Sequence, residues 1–145
     1  MSAEPFGMLF YGWVVPFEDL PDWAAYDGSA EETHDLHLMW LLANASSAPP
    51  APGRKTKATG PPDALVRAAE SDPCVFARHP IDWPAEGGGL VYVRSSLVRS
   101  EAYRAVDVPA LRTDPAWAAE LEAFARRLGL PRGEPGWRMI GCCYG

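Results

Sequence analysis

The sequence predicts an α+β fold: a single mixed or mainly antiparallel sheet with two or three helices packed on it. Three observations carry this. Short apolar runs rich in aromatic and β-branched residues recur along the chain, as strands require. One segment near the end repeats its large apolar residues at the helical period. The composition, 48% hydrophobic and 22% charged, is that of a chain with a packed core. The predicted order is β-α-β, a long loop, then α-β-β-β-α-β, and the 145 residues make one domain over 1–145.

Gly7 to Val15 reads as a strand buried on both faces and ended by Pro16. Asp19 is placed to cap a short helix that starts at Leu20 and Pro21 and ends at Gly28, with Trp23 and Tyr26 on one side. His34 to Ala43 fits both periods. The alternation of Leu36, Leu38 and Trp40 with His37 and Met39 favours a strand.

Residues 44–62 contain five prolines, two glycines and no large apolar side chain, the pattern of a long mobile connection. Asp63 then caps a helix through Glu70, and Cys74 to Arg78 makes a strand. Ile81 to Gly89 is a turn-rich loop. Leu90 to Val93 is a strand, followed by a continuation or bend through Ser95 and Ser96. Ala102 to Val108 alternates and is expected to pair with it.

The helix at 115–128 has the fullest set of signals. Asp114 supplies a cap, Pro115 a first helical residue and Gly129 a stop. Trp117, Leu121, Phe124 and Leu128 fall on one face. Glu120 and Glu122 precede Arg126 and Arg127, as the helix dipole favours. Trp137 to Tyr144 is the closing strand.

The charge is uneven. Residues 1–53 hold eight acids and no base, whereas 54–145 hold 13 bases and 11 acids. A net charge of −6 argues against nonspecific nucleic-acid binding, which needs a basic footprint. No apolar run is long enough for a membrane span, and the basic start of a secretory leader is missing. Three cysteines, two of them adjacent at 142 and 143, do not form a disulfide framework and fit a reducing, cytoplasmic setting.

Motifs for chemistry are sparse. Ala51 to Thr56 holds a Gly and a Lys but lacks the spacing of a phosphate loop, because Arg54 separates Gly53 from Lys55. His34 and His37 would share a face only on a helix, and Cys142 with Cys143 lacks zinc-finger spacing, so no metal or cofactor is expected. A thiolate nucleophile needs a nearby histidine or cation. Cys142, after Gly141, with His34 or His37 as base, is the candidate set. The neighbouring acids Glu18 with Asp19 and Glu31 with Glu32 sit beside loops, where carboxylates are usually just solvated.

The leading expectation is therefore a small binding protein without a reaction of its own. Its acidic N-terminal surface, with Asp19, Asp22 and Asp27, would face a basic protein. Trp83, between Asp82 and Pro84, would be an exposed anchor. An enzyme built on a cysteine nucleophile or a His/Cys metal site is the alternative. A structural subunit that binds its own copy is the third class.

Overall fold

A computed structural model describes residues 6–24, 35–45, 63–78, 88–101, 105–108 and 111–142. Five strands form one antiparallel sheet, accompanied by three α-helices. The strands are β1 (Phe6–Val15), β2 (Cys74–Arg78), β3 (Gly89–Val93), β4 (Val98–Glu101) and β5 (Gly136–Cys142). The helices are α1 (Leu36–Ala45), α2 (Asp63–Ser71) and α3 (Pro115–Leu128). Short 3-10 turns cover Phe17–Asp19, Asp22–Ala24 and Arg94–Ser96.

β1 is central. Gly12 lies opposite Tyr92 of β3 on one edge and Gly136 of β5 on the other. Phe6 to Leu9 likewise face β4 and β5. β3 and β4 therefore run in tandem along the same edge of β1, and β2 pairs outside β3. Between the Gly12–Tyr92 and Leu9–Val98 pairs, β1 spends two residues and its partner five. The 3-10 turn Arg94–Ser96 absorbs the three extra residues.

This bulge would strand a ladder donor, and Ser96 repairs it. The Tyr11 backbone N–H donates to Ser96 Oγ at 2.9 Å, and the same hydroxyl donates to the Val93 carbonyl at 2.6 Å. Arg94 ties the bulge to the end of α2, donating to the Asp72 and Ala69 carbonyls at 3.0 and 2.7 Å. Arg127 of α3 pairs with the Asp72 carboxylate, whose other oxygen accepts from the Cys74 N–H.

Both faces of the sheet carry buried side chains. Trp13, Val15, Cys74, Phe76, Val91 and Val93 pack with Leu36 of α1 and with Leu121, Phe124, Ala125 and Leu128 of α3. Met8, Phe10, Val75, Leu90 and Tyr92 form a second cluster on the opposite face. Val14 is an exception to the expected double burial of β1, being 39% exposed. Tyr11, Trp117 and Trp137 meet ring to ring at 5.5–6.1 Å where α3 crosses β1 and β5.

α3 spans the predicted 115–128. The Asp114 carboxylate accepts from the Ala116 N–H at 2.8 Å, Pro115 opens the helix, and Gly129 closes it in the left-handed conformation at φ 70°. β2 also has its predicted limits. α2 runs one residue further than expected, with Asp63 as its first helical residue rather than its cap.

Three expectations are corrected. The segment read as a strand at 34–43 is helical from Leu36, and the helix takes in Asn44 and Ala45 from the presumed loop. Asp35 decides this: its Oδ1 accepts from the Leu38 N–H at 3.0 Å and its carbonyl from the Met39 N–H at 3.2 Å. As far as Ala24, the short helix expected from Leu20 is replaced by two 3-10 turns around an extended Leu20 (φ −66°, ψ 136°), the conformation that a following proline imposes, and its remaining residues, 25–28, lie outside the described residues. The expected strand at 102–108 is not formed at 105–108, where Val106 and Val108 are exposed. The preceding residues, 98–101, pair instead with β1, and the described ladder ends at Phe6 opposite Glu101. Residues 46–62, 81–87 and 102–104 lie outside the described residues.

Candidate functional site

Two groups of predicted site residues can be placed. The first is the turn after β1. Pro16 ends the ladder because it has no N–H to donate, and the chain turns immediately: the Asp19 N–H donates to the Pro16 carbonyl at 3.0 Å and the Ala24 N–H to the Pro21 carbonyl at 2.9 Å. The turn leaves Glu18, Asp19 and Asp22 exposed. Among the described residues no cation pairs with any of the three. Phe17, 37% exposed, sits beside Glu18, and Val14 is exposed two residues before Pro16. Leu20 and Trp23 point the other way and pack on the helix-side core, with Trp23 edge-on to Phe76 at 5.8 Å. The turn is thus anchored by its apolar side and presents its acids.

The second group surrounds His37. As the second residue of α1 it is only 3% exposed. Its ring stands edge-on to Phe124 of α3 at 5.1 Å and tilted to Trp40 at 6.3 Å. Its Nδ1 has no hydrogen-bond partner among the described residues. Burial pulls its pKa below the ordinary 6.5; Asp72 and Asp35 oppose that, while Arg127 and Arg94 add to it. The ring is therefore held neutral at neutral pH.

Cys74, at the start of β2, shares the influence of Asp72, Arg127 and Arg94. Burial, with Asp72 and Glu120, pushes its thiol up to about 12. A group so protonated is not a nucleophile near neutral pH. The two buried groups are driven to their uncharged forms, the opposite of a thiolate–imidazolium pair.

Cys142 ends β5 opposite Phe6, and its side chain lies outside the described residues. His34, Asp27, Trp83 and the Ala51 to Thr56 segment lie outside them too. The structure therefore places Asp19 and Asp22 exposed on one stretch of turns and buries His37 in the core. Among the described residues no three His, Cys, Asp or Glu side chains are grouped to hold a metal ion. No described helix is long and apolar enough to cross a membrane. No family model, curated protein or solved structure matches the chain.

Phe17 and Val14 were not legible as site residues. In sequence Val14 belongs to an apolar strand and Phe17 follows the proline that ends it. Only the early break at Pro16, which turns the chain out of the sheet, hints that the residues beside it meet solvent.

Proposed function

We propose that this chain is a small binding protein without a reaction of its own, and that it recognises a basic protein segment through the turn 17–22. One observation carries the reading: three exposed carboxylates, Glu18, Asp19 and Asp22, lie on the same turn as exposed Phe17, just after a core strand. Such a turn offers both charge attraction and an aromatic contact. Complementary charge speeds encounter and fixes orientation, while the aromatic contributes affinity.

An array of Lys/Arg-rich peptides with interspersed aromatics tests it, with hits measured by fluorescence anisotropy at low and physiological salt. The E18K/D19K/D22K protein should bind such a hit at least about tenfold more weakly and with a flatter salt dependence. Equal binding by the variant, or an array without a salt-sensitive hit, would remove the proposal.

Self-association is a second reading, favoured by Met139. This residue is 82% exposed on β5, a strand that pairs only with β1 among the described residues. An exposed apolar edge is a template for another strand. Sedimentation velocity on wild type and Met139→Lys separates the cases: a dimer lost in the variant supports this edge, and a monomer at all concentrations rules it out.

A further inference from the structure

β5 has one edge to spare. Over Gly136–Cys142 it pairs with β1, and among the described residues no second strand lies beside it. A bare edge offers its N–H and C=O groups to any strand that fits, and proteins blunt such edges with lysine, proline or a bulge. β5 has neither lysine nor proline, and its ladder with β1 runs without a bulge from Phe6↔Cys142 to Gly12↔Gly136. Its side chains alternate. Trp137 meets Tyr11 and Trp117 on the α3 side, and Ile140 packs with the cluster on the opposite face. By the same alternation Met139 stands on the side of Trp137, and Arg138 on the side of Ile140.

The same chain carries a strand pattern that has no sheet. Ala105 to Val108 are all exposed and belong to no helix or strand, with Val106 and Val108 40% and 57% exposed. Valine is among the residues that favour a pleated, half-buried surface. In an extended segment Val106 and Val108 share one side, with Asp107 on the other.

Charge sets how the two fit. Arg138 is the one charged residue of β5, and Asp107 the one charged residue of 105–108. Arg138 donates to the neutral Glu134 carbonyl at 3.0 Å, and among the described residues neither it nor Asp107 forms an ion pair. Placing Asp107 opposite Arg138 in an antiparallel pair puts Val106 against Met139 and Val108 against Trp137. Pro109, which has no N–H, then falls beside Gly136, where β5 begins and the ladder ends anyway. A slip of one residue turns the valines to the wrong face, and a slip of two sets Asp107 against Gly136 or Ile140.

We propose, resting on the self-association reading of β5, that a second copy of this chain covers this edge with its 105–108 segment. The exchange is reciprocal about a two-fold axis, so each copy gives one segment and receives one. Four residues make a small contact, and the pairing is worth having because it occurs twice.

Sedimentation velocity over a concentration series tests it on the full chain. Wild type should dimerise. Asp107→Lys and Arg138→Asp should each raise the dimer Kd at least about tenfold, because each sets like charges opposite one another. An equimolar mixture of the two variants should dimerise as wild type does, since every segment then meets an opposite charge on the other copy. V106D/V108D, confined to exposed side chains, should abolish the dimer while the circular dichroism stays that of wild type, and it decides the matter should Arg138→Asp not fold. A wild-type monomer at all concentrations removes both the edge reading and this pairing. A dimer that Met139→Lys abolishes but Asp107→Lys and V106D/V108D leave intact keeps the edge and overturns the segment as its partner. A mixture of folded single variants that stays monomeric overturns the contact between Asp107 and Arg138.

Discussion

Ser96 shows how much of the sheet rests on single atoms. Its hydroxyl stands in for a strand, accepting from Tyr11 and donating to Val93 across the bulge. Ser96→Ala leaves the Tyr11 N–H buried and unpaired, at a cost of about 1–3 kcal/mol. Urea denaturation should show a lower midpoint with an unchanged slope; no change in midpoint would mean that water replaces the hydroxyl. His37 makes a prediction of the opposite kind, visible only in acid. Its folded pKa lies below the ordinary 6.5, so the unfolded chain binds the proton first. The cost of burying the ring is absent above pH 6.5, and stability falls as the pH drops below that value toward the folded pKa. His37→Gln does not titrate, so its stability should change less between pH 7 and pH 5 than that of wild type. Parallel profiles would show that the carboxylates alone set the acid limb. Neither role was legible in the sequence. Ser96 read as part of a bend, and its partner Tyr11 lies 85 residues away. His37 read as one candidate base among three histidines, because burial depends on α3 packing over it.

At the level of elements, legibility follows how local the deciding interaction is. α3 was readable to the residue because its cap, first proline, apolar stripe and terminal glycine all lie within sixteen consecutive positions. Asp114→Ala should therefore cost about 0.5–2 kcal/mol through loss of the Ala116 N–H acceptor. Leu121→Ala, in the buried stripe, should cost about 2–5 kcal/mol. Thermal unfolding that ranked these two the other way round would mean that α3 is held by its end rather than by its face. α1 was misread for a reason that is also local. Leu36, Leu38 and Trp40 satisfy a period of two, yet Leu36, His37 and Leu38 are all buried because the helix lies between neighbours on several sides. The Asp35 cap was the signal to weigh against that alternation. β4 was misplaced for a non-local reason. Val106 and Val108 alternate as well as any strand, but a ladder needs a partner, and β1 meets residues 98–101 first.

Across the whole molecule, the sequence places its excess of negative charge in the first 53 residues, which hold eight acids and no base. The fold puts part of it on one turn while the arginines at 94 and 127 are engaged around Asp72. The candidate face was thus half legible. Asp19 and Asp22 were named from charge alone, but Phe17 and Val14 became visible only once Pro16 was seen to turn the chain out of the sheet. This arrangement predicts how binding should respond to salt. Exposed charges act over a Debye length of about 8 Å at 0.15 M ionic strength, so attraction to a basic segment is strongest in the encounter and fades as salt rises. Phe17 contributes only once contact is made. Stopped-flow measurements should therefore separate the two. E18K/D19K/D22K should slow association and remove most of its salt dependence, with little effect on dissociation. Phe17→Ala should leave association and its salt slope in place and speed dissociation several-fold. If both variants alter only dissociation, the acids work as local contacts rather than as a steering field. The uneven charge would then have to serve pairing within the fold.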